Sequence, residues 1–138
     1  MRNGFLLLVF LVISTPAPAQ TIVPGEWEIT SISTSRFHPK PHSSTFKRCV
    51  HKEDAENPER WAARESAKAE CTFNPGVTIG QTVHWELVCP KSNVRGSGSA
   101  TLRGTTMQSE MQVRTEIHGQ SFEMTTRLSG RRIGACQS

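Results

Sequence analysis

The feature that most restricts this chain is a long run of period-two alternation in its second half. Val83, Trp85, Leu87 and Cys89 alternate with His84, Glu86 and Val88. Met107, Met111, Val113 and Ile117 share one parity, interleaved with Gln108, Glu110, Gln112, Arg114 and Glu116. Phe122, Met124 and Leu128 repeat the pattern, with Thr126 in the fourth place. A helix turns its side chains every 3.6 residues and cannot keep such a parity, whereas a strand places successive side chains on opposite faces. Gly80, the Ser92 to Gly98 stretch, Gly104 and Gly119 punctuate the segments at hairpin spacing, which predicts an antiparallel meander of four to six strands. Gly96-Ser97-Gly98-Ser99 reads as a flexible hairpin arm.

The first half adds fewer elements. Gly25 to Ile32 is rich in β-formers, with Trp27 and Ile29 on one face, and predicts a first strand. Phe37 to Ser44 holds Pro39, Pro41 and two serines and reads as a loop, followed by a short second strand over Thr45 to Val50. Lys52 to Ala69 lacks β-branched residues and is rich in Ala, Glu, Lys and Arg, so it is helical by propensity. Asn57-Pro58-Glu59 offers a capping side chain followed by proline at the first helical position, placing the better-defined helix over Pro58 to about Lys68. Trp61 is its one large apolar residue. So thin a stripe suits a helix that covers an edge or end of the sheet. The expected fold is mainly β, about seven to eight strands curled into an open or closed small barrel, with that one helix.

Ahead of this domain the chain reads as an export signal. Arg2 supplies a positive start, Gly4 to Ile13 is apolar, and Ser14 to Ala19 is small and broken by Pro16 and Pro18. Ala17-Pro18-Ala19 fits the small-x-small cleavage pattern, so residues 1–19 form an expected signal peptide and 20–138 a single mature domain. The run is shorter than the roughly 20 apolar residues a spanning helix needs, and no later stretch is long and apolar enough. Periplasmic location is the expectation. Removing Arg2 and no acidic residue lowers the formal charge from +4 to +3. Basic residues are dispersed and tyrosine is absent, a composition that argues against nucleic-acid binding.

Four cysteines, Cys49, Cys71, Cys89 and Cys136, in an exported domain imply two bridges. Zinc and redox motifs place cysteines two to four residues apart. The closest pair here is 18 positions apart. The preferred pairing is Cys49 with Cys71, around the helix, and Cys89 with Cys136, tying the C-terminus to the Trp85 strand. If Ser129-Gly130 is a turn, Cys136 comes to the same end of the sheet as Cys89. The alternative joins Cys71 to Cys89 across a hairpin turning at Gly80-Gln81, since both lie equidistant from Gly80, and leaves Cys49 with Cys136.

Pro24-Gly25-Glu26-Trp27-Glu28, the four cysteines, Trp85 in the frame Gly-x-Thr-Val-x-Trp-x-x-x-Cys, and the terminal Ser129-Gly130-Arg131-Arg132-Ile133-Gly134-Ala135-Cys136 together resemble the domain-of-unknown-function 3617 family. The resemblance covers essentially the whole mature chain. It implies export by a Gram-negative bacterium and the same four-cysteine layout, and it contributes no activity and no catalytic residue. Many members carry methionine- and proline-rich stretches before the first cysteine. Here Phe37 to Ser44 has two histidines instead.

No residues form a recognisable catalytic constellation. No serine sits in a Gly-x-Ser-x-Gly elbow and no carboxylates form an evident pair. No cofactor motif is present. His38, His42 and His51 are the candidate copper or zinc ligands, weak ones because a loop lacks fixed geometry. Trp27, Trp61, Trp85, Met107, Met111, Phe122 and Met124 have the parity of an apolar core or, alternatively, of a pocket for a lipid-like molecule. A domain this small has little apolar mass to spare, so a filled interior is expected. The function expected is a periplasmic non-enzymatic accessory or binding domain. Its partner would be an envelope protein or a small apolar ligand.

Overall fold

The chain is described by a computed structural model covering residues 22–137; the signal peptide expected over residues 1–19 lies outside the described residues. The alternating segments become β1 (Gly25–Ser35), β2 (His42–Val50), β3 (Thr72–Ile79), β4 (Thr82–Cys89), β5 (Val94–Leu102), β6 (Thr106–Ile117) and β7 (Gln120–Gly134). Between β2 and β3 stand α1 (Lys52–Glu56) and α2 (Pro58–Lys68). One antiparallel sheet of seven strands contains them all, in the order β2-β1-β7-β6-β5-β4-β3. The last five strands form the expected meander, and the β1–β2 hairpin is added on the far side of β7. The sheet is open, with β2 and β3 as its two edges.

The helical segment spans those edges. It leaves β2 at the lower end of the sheet, where Gly25 and Val50 pair, and delivers the chain to β3 at the upper end. Asn57 Oδ1 accepts a hydrogen bond from the Arg60 backbone N–H at 3.1 Å, and Pro58 occupies the first position of α2. At the other end Glu70 takes a left-handed φ of 58° and redirects the chain toward Cys71. α2 packs along β3, while the Arg48 guanidinium on β2 lies 5.2 Å over the Trp61 ring and 3.1 Å from Glu65. The thin apolar stripe thus finds an edge to cover, as its composition requires.

Side chains of one parity make the core, which sits at the lower end. Ile22, Trp27, Ile29, Val50, Ala55 and Leu102 are buried together, with Met107 and Leu128 packed against them. Leu102 lies three strands away from β1, so this cluster requires the sheet to curl toward the face that carries it. Trp27 is the largest buried side chain, and its indole N–H donates to Val23 O at 3.0 Å. Ile22 closes the lower end through a parallel bridge to Gly104.

Several expectations are corrected by this topology. The bridges are Cys49–Cys136 and Cys71–Cys89, with Cα atoms 5.4 and 4.2 Å apart, and not Cys49–Cys71 with Cys89–Cys136. The reason lies at Gly130, which is no turn: β7 runs straight through it, opposite Ile29 on β1 and Met107 on β6. Cys136 therefore ends at the lower rim beside β2, and Cys89 at the upper rim. Cys71 and Cys89 extend the β3–β4 ladder one position past Thr72↔Val88. The equidistance from Gly80 signalled this pair; Gly80 opens the two-residue turn with φ 60°.

Two further boundaries move. The arm expected at Gly96-Ser97-Gly98-Ser99 is the middle of β5, and the turn before it occupies only Pro90 to Asn93. The second strand begins at His42, not Thr45, because Ser43 and Ser44 pair with Ile32 and Ser31.

Candidate functional site

Beyond the core, the same face of the sheet continues toward the upper rim. One ladder row crosses it as Pro75, Trp85, Gly98, Met111, Thr126 and Ser33. The next row up is Phe73, Leu87, Gly96, Val113, Met124 and Ser35. Large apolar residues on β3, β4, β6 and β7 thus flank glycines on β5 and serines on β1. The glycines leave room that side chains use sideways: a Cβ on Gly98 would fall within the Trp85 indole, and one on Gly96 would touch Leu87 and Val113 at 3.6 Å. Phe73 and Trp85 lie with ring centroids 5.8 Å apart. At the rim, Phe37 and Phe122 meet at 4.9 Å.

These rows are not closed over. Trp85, Leu87, Phe73, Met111, Val113 and Phe122 are half-buried, and Met124 is 42% exposed. Of the candidate apolar residues, Trp27 alone is fully buried; Met107 packs on the core beside Gly130, and Trp61 sits on α2 beneath Arg48. Among the described residues the one buried polar side chain, Thr126, is satisfied by Ser33, with the hydroxyl oxygens 3.0 Å apart. Apart from His42, which pairs with Ser33 where the lower of these rows reaches the β2 edge, the two rows hold no titratable group and no free thiol, so what this face mainly offers a ligand is apolar contact and aromatic edges.

The opposite face is polar and laced by cross-strand ion pairs: Arg127 with Glu110 at 3.1 Å, Arg131 with Glu28 at 3.0 Å, and Arg114 with Glu123. Such exposed pairs add little stability each, on the order of 0–1 kcal/mol. A cleft of about 410 Å³ lies there, lined by His84, Glu86, Ser97, Ser99, Glu110 and Gln112. His84, Ser99 and Glu110 share a ladder row with the serine in the middle. A nucleophilic triad needs the imidazole between hydroxyl and carboxylate, and Glu110 is engaged instead by Arg127. Ser97 lies mid-strand, away from any strand-to-helix elbow.

The histidine set is not assembled. His38 is in the β1–β2 loop and His42 opens β2, whereas His51 precedes α1 at the far end of that strand, roughly 30 Å of extended chain away. Among the described residues no three His, Cys, Asp or Glu side chains gather in a set able to hold a metal ion. Both bridges are formed and no described cysteine is free.

Sequence reasoning found the parity of the apolar rows. It missed Gly96 and Gly98 as part of them, and it missed Phe37, whose loop segment carries no parity signal. The signal available was the parity of Gly96 and Gly98 with Ala100 and Leu102. No curated protein and no solved structure is significantly similar to the chain. A family model described as a protein of unknown function (DUF3617) matches residues 22–136, the span from the first core residue to the last cysteine. The chain belongs to the DUF3617 family.

Proposed function

We propose that the mature chain is an exported, non-enzymatic binding domain that holds a lipid-like or other apolar small molecule against the upper half of its apolar sheet face. The observation that carries this reading is the row Phe73, Leu87, Gly96, Val113 and Met124, which has core parity but remains half-open above a core confined to the lower end. Contiguous apolar surface of this kind on a soluble domain marks a place where something binds. Small residues at Gly96, Gly98, Ser33 and Ser35 give the volume, while the ring edges of Trp85, Phe73 and Phe122 give contact area. The two disulfides support an oxidising compartment such as the periplasm.

Titration of the purified mature domain with parinaric acid, a fluorescent fatty acid, tests the reading. Saturable binding is expected, displaced by unlabelled fatty acid and weakened at least about tenfold in Val113→Glu, which introduces a charge into the apolar face. Non-saturable uptake, or equal binding by Val113→Glu with an unchanged fold, would show that this face is not the site.

A further inference from the structure

The apolar face does not stop at the sheet. Its upper row leads through Phe122 to two exposed tips, where Phe37 on the β1–β2 loop is 56% exposed and Ile117 on the β6–β7 hairpin is 50% exposed. The contact between Phe37 and Phe122, 4.9 Å between centroids, places the loop against the hairpin that carries Ile117. The loop is held there: the His38 backbone N–H donates to Ser35 Oγ at 3.1 Å. Its sequence, Arg36-Phe37-His38-Pro39-Lys40-Pro41-His42, has two cations and no acidic residue. Neither Arg36 nor Lys40 has an ion-pair partner among the described residues. Beside the rings lies a cleft of about 530 Å³ lined by Arg36, Phe37, Arg114, Ser121 and Glu123. Glu123 is taken by Arg114 at 3.0 Å, which leaves the Arg36 guanidinium for an external anion.

Apolar side chains at two adjoining tips with unpaired cations beside them match the layered chemistry of a membrane surface. Rings and aliphatic chains enter the acyl boundary, while Arg and Lys stay at the phosphates. We propose that this end of the domain seats on an anionic lipid bilayer, with Phe37 and Ile117 inserted and Arg36 and Lys40 at the headgroup phosphates. The proposal rests on the apolar-ligand reading for its purpose, since the seated tips continue into the face where the ligand is held, but the two are separately measurable.

The experiment is co-sedimentation of the mature domain with vesicles of phosphatidylcholine alone or mixed with phosphatidylglycerol, with parinaric acid binding measured in parallel. Wild type is expected on the mixed vesicles, at least about tenfold less on neutral ones and in high salt. Phe37→Ser with Ile117→Ser, and separately Arg36→Glu with Lys40→Glu, are expected to lose at least about tenfold in vesicle binding while keeping the wild-type circular dichroism spectrum. Failure of wild type to sediment with anionic vesicles, or equal sedimentation of both double variants, overturns the proposal. Vesicle binding without parinaric acid binding upholds the docking surface and overturns the ligand reading; the converse overturns the docking surface alone.

Discussion

The indole of Trp85 lies across Gly98 on the neighbouring strand, filling the position a side chain there would take. A Cβ added at Gly98 would also come 2.7 Å from the carbonyl oxygen of Glu110. Glycine normally weakens a strand interior, and its replacement by alanine then stabilises. Here the sign reverses, because the ring must lift and lose its contact. Gly98→Ala is expected to destabilise the domain by about 1–3 kcal/mol in urea unfolding, the cost of overpacking. Adding Trp85→Ala should recover part of the loss, since the two residues share one space. Strict additivity of the two costs would refute this relationship.

The bridges constrain the unfolded chain to different extents. Cys49–Cys136 closes a separation of 87 residues and Cys71–Cys89 one of 18. Loop-closure entropy assigns about 4.5 kcal/mol to the longer and about 3 kcal/mol to the shorter. Replacing Cys49 and Cys136 together by serine should lower the unfolding free energy more than replacing Cys71 and Cys89 together. Peptide mapping of the intact protein under non-reducing conditions should recover Cys49 joined to Cys136. A fragment joining Cys49 to Cys71 would contradict the strand arrangement, because those residues stand at opposite ends of the sheet.

Most of the strands, the α2 boundaries and the antiparallel class were legible because each is written in local pattern: parity for strands, Asn57-Pro58 for the helix start. The disulfide pairing was not, and Gly130 shows why. Ser129-Gly130 has the composition of a turn, yet the glycine is buried in β7 beneath Trp27 and Met107, whose Cε3 and Cε atoms would stand 3.4 and 3.3 Å from a Cβ placed there. A sequence displays the glycine but not the ring that lies over it, and on that one ambiguity turned which end of the sheet Cys136 reaches. Gly96 and Gly98 posed the same problem beneath Leu87 and Trp85. The candidate site suffered most, since parity identifies a face but cannot tell whether that face is filled or open.

The start of α2 offers a clean local test. Asn57 satisfies the Arg60 backbone N–H, whereas His51, ahead of α1, makes no side-chain cap. Asn57→Ala is expected to cost about 1 kcal/mol, with Asn57→Asp close to neutral. His51→Ala should leave stability nearly unchanged in the same thermal unfolding assay. An equal loss for both alanine variants would mean that capping is not what fixes the helix start.

Acid should loosen α2 from the β2 edge before it unfolds the sheet. The Glu65 carboxyl is held below its ordinary value of 4.5 mainly by its hydrogen bond from Lys68, with Arg48 acting in the same direction against partial desolvation. A carboxyl whose folded value is depressed binds fewer protons folded than unfolded, so its contribution is complete above about pH 4.5 and fades as pH falls through the lower folded value. Protonation removes the anion that anchors Arg48 at 3.1 Å, leaving only the guanidinium over Trp61. Trp61 fluorescence, isolated by Trp27→Phe and Trp85→Phe, should therefore change below pH 4.5 while the β signal in circular dichroism persists. In Glu65→Gln that step should vanish, and the helix amides should exchange faster already at neutral pH. A step of unchanged midpoint in Glu65→Gln would place the responsible carboxyl elsewhere and refute this role for Glu65.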